Sequence, residues 1–481
     1  MSRLGGQVRT LLRDAADVFR ESPEVAQSLR DHLDRLDGPL RIAIAGQVKA
    51  GKSTLLNALV GERLAPTDAG ECTRIVTWYR QGHRPRVAAY PITGGPRQLR
   101  IDREDGALRI DLEGLRPANV ERLVVDWPSR GLADTILIDT PGIASLSTDV
   151  SAKASGFLVP EDEPSEADAV VYLMRHLHSA DLRLLESFHD NGIARANPVN
   201  TIAVLSRADE IGVGRVDALM SAGKIARRYR TDPRLRRLCQ GVVPVAGLLA
   251  ETSRSLHQHE FDELAALAAQ PRADVEAALL SADRFGQHAG GYGLLERFGL
   301  FGIRLSLALI RQGFGDPGRL AAELTRRSGI DELRAVFAAQ FTQRRDLLKS
   351  RSALLAVESL LRKDSRPGTE MLRDEVERVL AGAHEFTELR VLGALRSGVT
   401  DLGEPAMDEA ERLLGAGGAQ SWSRLGLTPD VSRDQQRQAV LDALARWQRQ
   451  AENPLARKAT IDVARVVVRS CEGIAADLLA E

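Results

Sequence analysis

The sequence predicts an α/β fold, a mostly parallel sheet with helices on both faces built around a phosphate loop, followed by an all-helical region. Three observations predict it. Residues 46–54 read Gly46-Gln47-Val48-Lys49-Ala50-Gly51-Lys52-Ser53-Thr54, a complete G-x-x-x-x-G-K-[ST] pattern between an apolar run and a helix-like stretch. Strand-like and helix-like segments then alternate as far as residue 245, the pattern of a parallel sheet covered on both faces. Past residue 250 the strand signal stops and helical periodicity takes over.

Taken in order, Val8, Leu11, Leu12, Ala15, Val18 and Phe19 recur at helical spacing, as do Leu29, Leu33 and Leu36, until Asp37-Gly38-Pro39 breaks the chain. So apolar a helix face needs a partner, and the far end of the sequence is expected to supply it. Strands are predicted over 40–45, 75–79, 87–90, 123–125, 135–138, 169–173, 201–205 and 242–245, with helices over 55–60, 180–189 and 216–229. Helical periodicity continues through 261–267, 275–280, 294–310, and 333–348 extending to 361. Pro367-Gly368 breaks it. Helices are expected again over 371–380 and 389–395, loops at Gly415-Ala416-Gly417-Gly418 and Pro429, and helices over 440–447 and 461–479.

Composition narrows the class. At 481 residues the chain exceeds a single core, so two or three structural units are expected. A formal net charge of −1 gives no bulk pull on nucleic acid, and none is expected as a partner. Aromatics at 4% suit helix packing on Leu, Ala and Val. Cys72, Cys239 and Cys471 are odd in number and far apart, which favours a reducing compartment over a disulfide frame. The first residues lack the apolar core of a signal peptide, and no run of about 18 apolar residues occurs. A cytoplasmic protein, or one peripheral to a membrane, is expected.

The motifs carry chemistry. In such a loop the backbone N–H groups of residues 46–54 curl around phosphates at a helix N-terminus, Lys52 reaches the β- and γ-phosphates, and the Ser53 hydroxyl ligates Mg²⁺. Only seven lysines occur in the chain, and two of them, Lys49 and Lys52, lie in this loop. Asp139-Thr140-Pro141-Gly142 closes the strand over 135–138, so Asp139 is expected to hold Mg²⁺ and the Gly142 N–H to sense the γ-phosphate. Ser206-Arg207-Ala208-Asp209 resembles the [NT]-K-x-D guanine signature, with Asp209 accepting the ring and exocyclic N–H groups and Arg207 covering the base plane; an ordinary strand-end cap is the competing reading. Val245-Ala246-Gly247 would complete the base pocket through backbone groups. In the turn-rich stretch 66–74, Thr73 is expected as a second Mg²⁺ ligand, with Thr67 the competing choice. Ile143 follows Gly142, where many GTPases carry a water-orienting Gln. Lys49 is then either a positive charge supplied in cis at the β–γ bridge or a solvated loop lysine. His176 and His178 are read as structural. Leu389–Leu395 with its arginines, and the glycine loop leading to Trp422, serve either as membrane-facing tips or as packing faces.

Together, the phosphate loop, Cys72-Thr73-Arg74-Ile75-Val76-Thr77, Asp139-Thr140-Pro141-Gly142 and Ser206-Arg207-Ala208-Asp209 resemble the dynamin superfamily, specifically its bacterial dynamin-like GTPases. Residues 295–304 and 327–334 are similar to the isoniazid-inducible group of mycobacteria. The resemblance implies a GTPase head over 38–345, a neck from residues 1–37 and 346–367, a trunk over 368–435, and helices over 436–481 returning to the neck. It also implies GTP hydrolysis with Mg²⁺, self-association through the GTPase domain, a paralogous dynamin-like subunit as a further partner, and action on anionic lipids at the inner face of the plasma membrane. Eukaryotic dynamins carry Gln and Ser where Val48 and Lys49 stand, and that Ser helps bind a monovalent cation; Lys49 would replace the cation with its own ammonium.

Overall fold

The computed structural model describes residues 3–66, 74–104, 107–142, 165–187, 200–212, 217–287, 290–364, 366–396 and 402–480. Its centre is a nine-stranded sheet in the order β11-β10-β9-β1-β8-β2-β7-β3-β4. The strands are β1 (Leu40–Gly46), β2 (Val76–Gln81), β3 (Arg86–Pro91), β4 (Arg97–Leu99), β7 (Val120–Trp127), β8 (Thr135–Asp139), β9 (Ala169–Met174), β10 (Thr201–Ser206) and β11 (Val242–Val245); β5 (Ile101–Glu104) and β6 (Ala107–Ile110) form a separate hairpin. β1 runs parallel to both β8 and β9, and β9, β10 and β11 continue in parallel. β2 turns antiparallel to β8, and β3 and β4 extend that edge antiparallel.

The parallel strands read as unbroken apolar runs because both of their faces are covered. Ile42, Ile44, Val171, Leu173, Ile202 and Val204 feed one core, while Ala43, Ala45, Val170, Tyr172, Ala203 and Leu205 feed the other. Alternation along each strand therefore sends successive side chains into different cores.

Helices α1 (Arg3–Val18) and α2 (Pro23–Asp37) precede the sheet. The apolar stripe of α1, from Leu4 through Ala15, is buried as its spacing predicts. Its partners are α2 and the helices Arg345–Lys363 and Thr369–Gly382. The expectation that it packs chiefly on the last helices is thus corrected. The helices Arg433–Ala451 and Lys458–Ala480 pair with each other, and the second lies on His384–Arg396 and Glu404–Leu413. Helical spacing reports that a face is apolar but not which of several apolar faces meets it.

One further expectation changes. The continuous helix from 333 to 361 is interrupted by a π-helical turn, Ala338–Thr342, before the helix Arg345–Lys363 begins. That turn presents Gln340, whose amide donates to the Ala416 carbonyl at 2.7 Å, and just beyond it the buried Arg344 donates to the Gly415 carbonyl. Burial pushes the Arg344 guanidinium down to about 10. The glycine loop is therefore docked, not an exposed tip. Leu389, Leu392 and Leu395 are buried too, so of the two readings of that helix the packing face holds.

The sheet and the helices are joined at the start of β1. Asp168, fully buried, accepts from the Arg35 guanidinium of α2 at 2.7 Å and from the Arg41 N–H of β1 at 2.9 Å. Lys349 donates to the Arg35 carbonyl, bringing in the helix Arg345–Lys363. Burial alone would raise the Asp168 carboxyl; Arg35, the Arg41 N–H and Lys349 together hold it below the usual carboxylate range. A carboxyl depressed in the fold contributes stability that is complete above the unfolded carboxylate range and is lost as pH falls through the folded value. Arg35→Ala is expected to cost about 3–5 kcal/mol at neutral pH, because it leaves the buried charge uncompensated. Denaturant unfolding of wild type and variant should show that gap, and the gap should narrow as the pH is lowered below about 4. A constant gap across that range would remove the Arg35–Asp168 pair as its source.

Candidate nucleotide-binding site

β1 ends at Gly46, in register with Leu173 of β9. There the chain turns at φ 149°, and a Cβ would stand 2.5 Å from the Leu173 carbonyl oxygen, so only glycine fits. The loop continues to Gly51, also left-handed, and opens into α3 (Lys52–Val60). Free N–H groups at that helix start, with the helix dipole behind them, form an anion cradle. Lys52 is buried and lies back over the loop, its Nζ 3.2 Å from the Gln47 carbonyl and 3.4 Å from that of Gly46. Burial lowers its ammonium below the usual lysine range, while Asp139 acts in the opposite sense. Lys49 is exposed and holds φ 61°, a left-handed conformation that costs a residue with a Cβ about 1–2 kcal/mol.

Asp139 stands at the end of β8, opposite Ile44. Ser53 donates its hydroxyl to Asp139 Oδ2 at 2.8 Å. The other oxygen, Oδ1, is buried and accepts no hydrogen bond among the described residues. Burial raises the carboxyl, against Lys52 and Ser53, which lower it. A hydroxyl and a half-satisfied carboxylate side by side are hard oxygen donors that fit Mg²⁺. Thr140 fixes the strand end by donating to the Ile44 carbonyl at 2.9 Å. Gly142 passes so close to the loop that a Cβ would come within 2.6 Å of the Val48 side chain.

The carboxyl ends of β10 and β11 bring the remaining residues to the same place. Ala50, Gly51, Thr54, Ser206, Arg207, Asp209, Val245 and Gly247 line one cavity of about 200 Å³. Ala246 lies behind it, fully buried, with its N–H donated to the Ser328 carbonyl at 2.9 Å. Burial pushes the Asp209 carboxyl above the usual range. Arg207 takes φ 51° and pairs with Glu210, which also holds Arg175 at 2.6 Å. Thr73 and the competing Thr67, with Cys72 and Ile143, lie outside the described residues. His176 and His178 are exposed, their rings edge to face at 6.3 Å.

Sequence reasoning missed Glu210 and Leu248 on the cavity wall, and Asp181, which accepts from the Gln47 amide at 2.9 Å. Only Asp181 left a signal, an acid in the first turn of the helix Ser179–Ser187.

A phosphate loop between a buried strand and a helix, a Ser–Asp donor pair and a base-sized cavity at the carboxyl ends of the same sheet define a phosphate-loop nucleoside triphosphatase. Residues 42–206 match the dynamin family. The chain is 42% identical to the isoniazid-induced protein IniC of Mycobacterium tuberculosis, over 98% of this chain and 99% of that protein. A bacterial dynamin-like protein of Nostoc punctiforme is 31% identical over 28% of this chain and 20% of its own length. A solved structure of an oligomerised bacterial dynamin pair aligns with 99% of this chain and 74% of its own at 14% identity and a TM-score of 0.32. The chain belongs to the dynamin family, among its bacterial dynamin-like GTPases.

If Asp209 reads the base, Asp209→Asn should weaken GDP binding specifically, and ADP should compete poorly with a fluorescent guanine nucleotide on the wild type. Loss of one such charged hydrogen-bond acceptor is worth about 1.5–3 kcal/mol, an affinity loss of roughly tenfold to a hundredfold. Equal competition by GDP and ADP would remove the base-reading role.

Proposed function

We propose that this protein hydrolyses GTP to GDP and phosphate, and couples nucleotide-dependent self-association of its GTPase domain to binding or remodelling of the inner face of the plasma membrane. The observation that carries the reading is the carboxyl end of the parallel strands, on which the phosphate loop, the Ser53–Asp139 pair and the Asp209 cavity converge. Mg²⁺, held by Ser53 and Asp139, would neutralise the β,γ-phosphate oxygens. Thr73 is the proposed further ligand.

The chain's own residues divide the work. The N-terminus of α3 binds and orients phosphate oxygens. Lys52 exchanges the Gly46 and Gln47 carbonyls for the stronger acceptors that phosphates present. Asp209 and Arg207 hold the base, with Val245 and Gly247 closing the cavity. Lys49 makes no ion pair among the described residues and is exposed in a left-handed turn of the loop. Its ammonium supplies the charge that neutralises the developing negative charge at the leaving oxygen. A second reading, a weakly hydrolysing switch that partners a longer dynamin-like paralogue, is favoured by Val48. This apolar side chain, 44% exposed beside Gly142, cannot orient water.

Among the described residues no helix is long and apolar enough to cross a membrane. Leu455, 93% exposed at the turn between the last two helices and followed by Arg457 and Lys458, suits an anionic headgroup boundary.

Two measurements test the reading. Lys49→Ala should retain guanine-nucleotide affinity and lower turnover by about tenfold to a thousandfold, the cost of one transition-state charge. A wild-type rate in that variant, in potassium or sodium buffer, would exclude the role. Wild-type protein should float with anionic liposomes in the presence of GTP, and Leu455→Asp should reduce the floated fraction. No flotation by the wild type alone, but flotation with a longer paralogue, would favour the partner-subunit reading.

A further inference from the structure

Asp181 lies outside every motif in the sequence, yet it is the most thoroughly buried carboxylate next to the phosphate loop, at 1% exposure. Its Oδ1 accepts from Gln47 Nε2 at 2.9 Å and from the Tyr172 hydroxyl at 2.6 Å. Its Oδ2 accepts from the His178 N–H at 2.9 Å. No cation pairs with it among the described residues, and three neutral donors occupy its two oxygens. Burying a carboxylate in this way costs far more than a helix cap requires, since a capping acid serves equally well in solvent. The His178 bond accounts for the cap; the two bonds to Oδ1 do not.

Those two bonds lead to the nucleotide. Tyr172 belongs to β9 and is in register with Ala45, one residue before the loop. Burial and the Asp181 bond hold its hydroxyl protonated well above the usual tyrosine range, so it stays a donor. Gln47 is the second residue of the loop, and its carbonyl accepts from the Ala50 N–H at 3.2 Å across the turn. Between them stand Val48 and Lys49, both exposed, with Lys49 in a left-handed conformation. Among residues 46–51, the Gln47 side chain ties the loop to the helix Ser179–Ser187, and through Asp181 and Tyr172 to β9.

We propose that Asp181 is a positioning residue for GTP hydrolysis: it clamps the Gln47 amide to β9 and so holds the strained turn that presents Lys49. This rests on the GTPase reading and on Lys49 acting there. The clamp acts chiefly on turnover, because the N–H groups at the start of α3, Lys52 and the base cavity lie beyond the turn that Gln47's side chain holds.

The test compares Gln47→Ala, Asp181→Ala, the double variant and Asp181→Asn in the full chain, reading kcat for GTP, GDP affinity and melting temperature. Each alanine variant should lower kcat by about tenfold while GDP affinity stays within about threefold, a split that general loosening of the fold would not produce. The double variant should be no slower than either single one, since both remove the same bond. Asp181→Asn keeps an oxygen for Gln47 and Tyr172 and should recover most of the lost rate. Gln47→Ala leaves Asp181's bonds to Tyr172 and His178 in place, and carries the test alone if Asp181→Ala does not fold. Multiplying losses in the double variant, unchanged kcat in Gln47→Ala, or GDP affinity falling in step with kcat would each overturn the clamp. Hydrogen exchange at the amides of residues 47–50 with GDP bound needs no turnover: it should quicken equally in the two alanine variants, and equal exchange in wild type and variants would overturn the proposal even if the wild type hydrolysed no GTP.

Discussion

The Asp168 carboxylate is the junction on which the arrangement of this molecule depends. Fully buried, it joins α2 through Arg35, β1 through the Arg41 N–H, and lies one residue before β9. The Lys349 bond to the Arg35 carbonyl adds the helix Arg345–Lys363. A charge in that position is tolerable only with all of its partners present. The register of β1 against β9 and the docking of the helices onto the sheet are thus held by the same group, at the amino ends of the strands, opposite the nucleotide site.

That register decides what happens at the other end. With β1 between β8 and β9, Ile44 faces Asp139 and Gly46 faces Leu173. The phosphate loop, the Ser53–Asp139 pair and the Asp209 cavity then emerge side by side from the carboxyl ends of β1, β8, β10 and β11, where ligands of open parallel sheets bind. A slip of one residue would send each side chain to the wrong core and take Gly46 away from the Leu173 carbonyl, which leaves no room for a Cβ. Packing requirements and chemistry here coincide.

Legibility followed the range of the interaction. The loop, Asp139 and the Ser206–Asp209 stretch could be read because each motif is local, a strand end followed by a turn whose residue types the chemistry dictates. The parallel strands could be read because burial on both faces leaves continuous apolar runs. The partner of α1 could not, since the faces of several helices carry the same aliphatic residues and only packing shape distinguishes them. Leu389, Leu392 and Leu395 had two readings for the same reason: an apolar stripe looks alike whether it meets a membrane or Lys458–Ala480. The π-helical turn at Ala338–Thr342 left no mark in the apolar spacing, and the contacts beside it, from Gln340 and Arg344 to the loop at Gly415 and Ala416, are distant in sequence.

By itself the sequence determined the α/β class, the helical second half, the phosphate loop with Lys52 and Ser53, and the strand-end acids Asp139 and Asp209, because these depend on the residue type at a position and on its near neighbours. Tertiary structure alone decided that Ala246 turns away from the cavity to Ser328, that Glu210 joins its wall, and that Asp181 reaches across from a different helix to hold Gln47. The Ala246–Ser328 and Gln47–Asp181 contacts span dozens of residues or more along the chain, and such contacts are set by how the sheet and its covering helices pack, a relation that no local pattern of residues encodes.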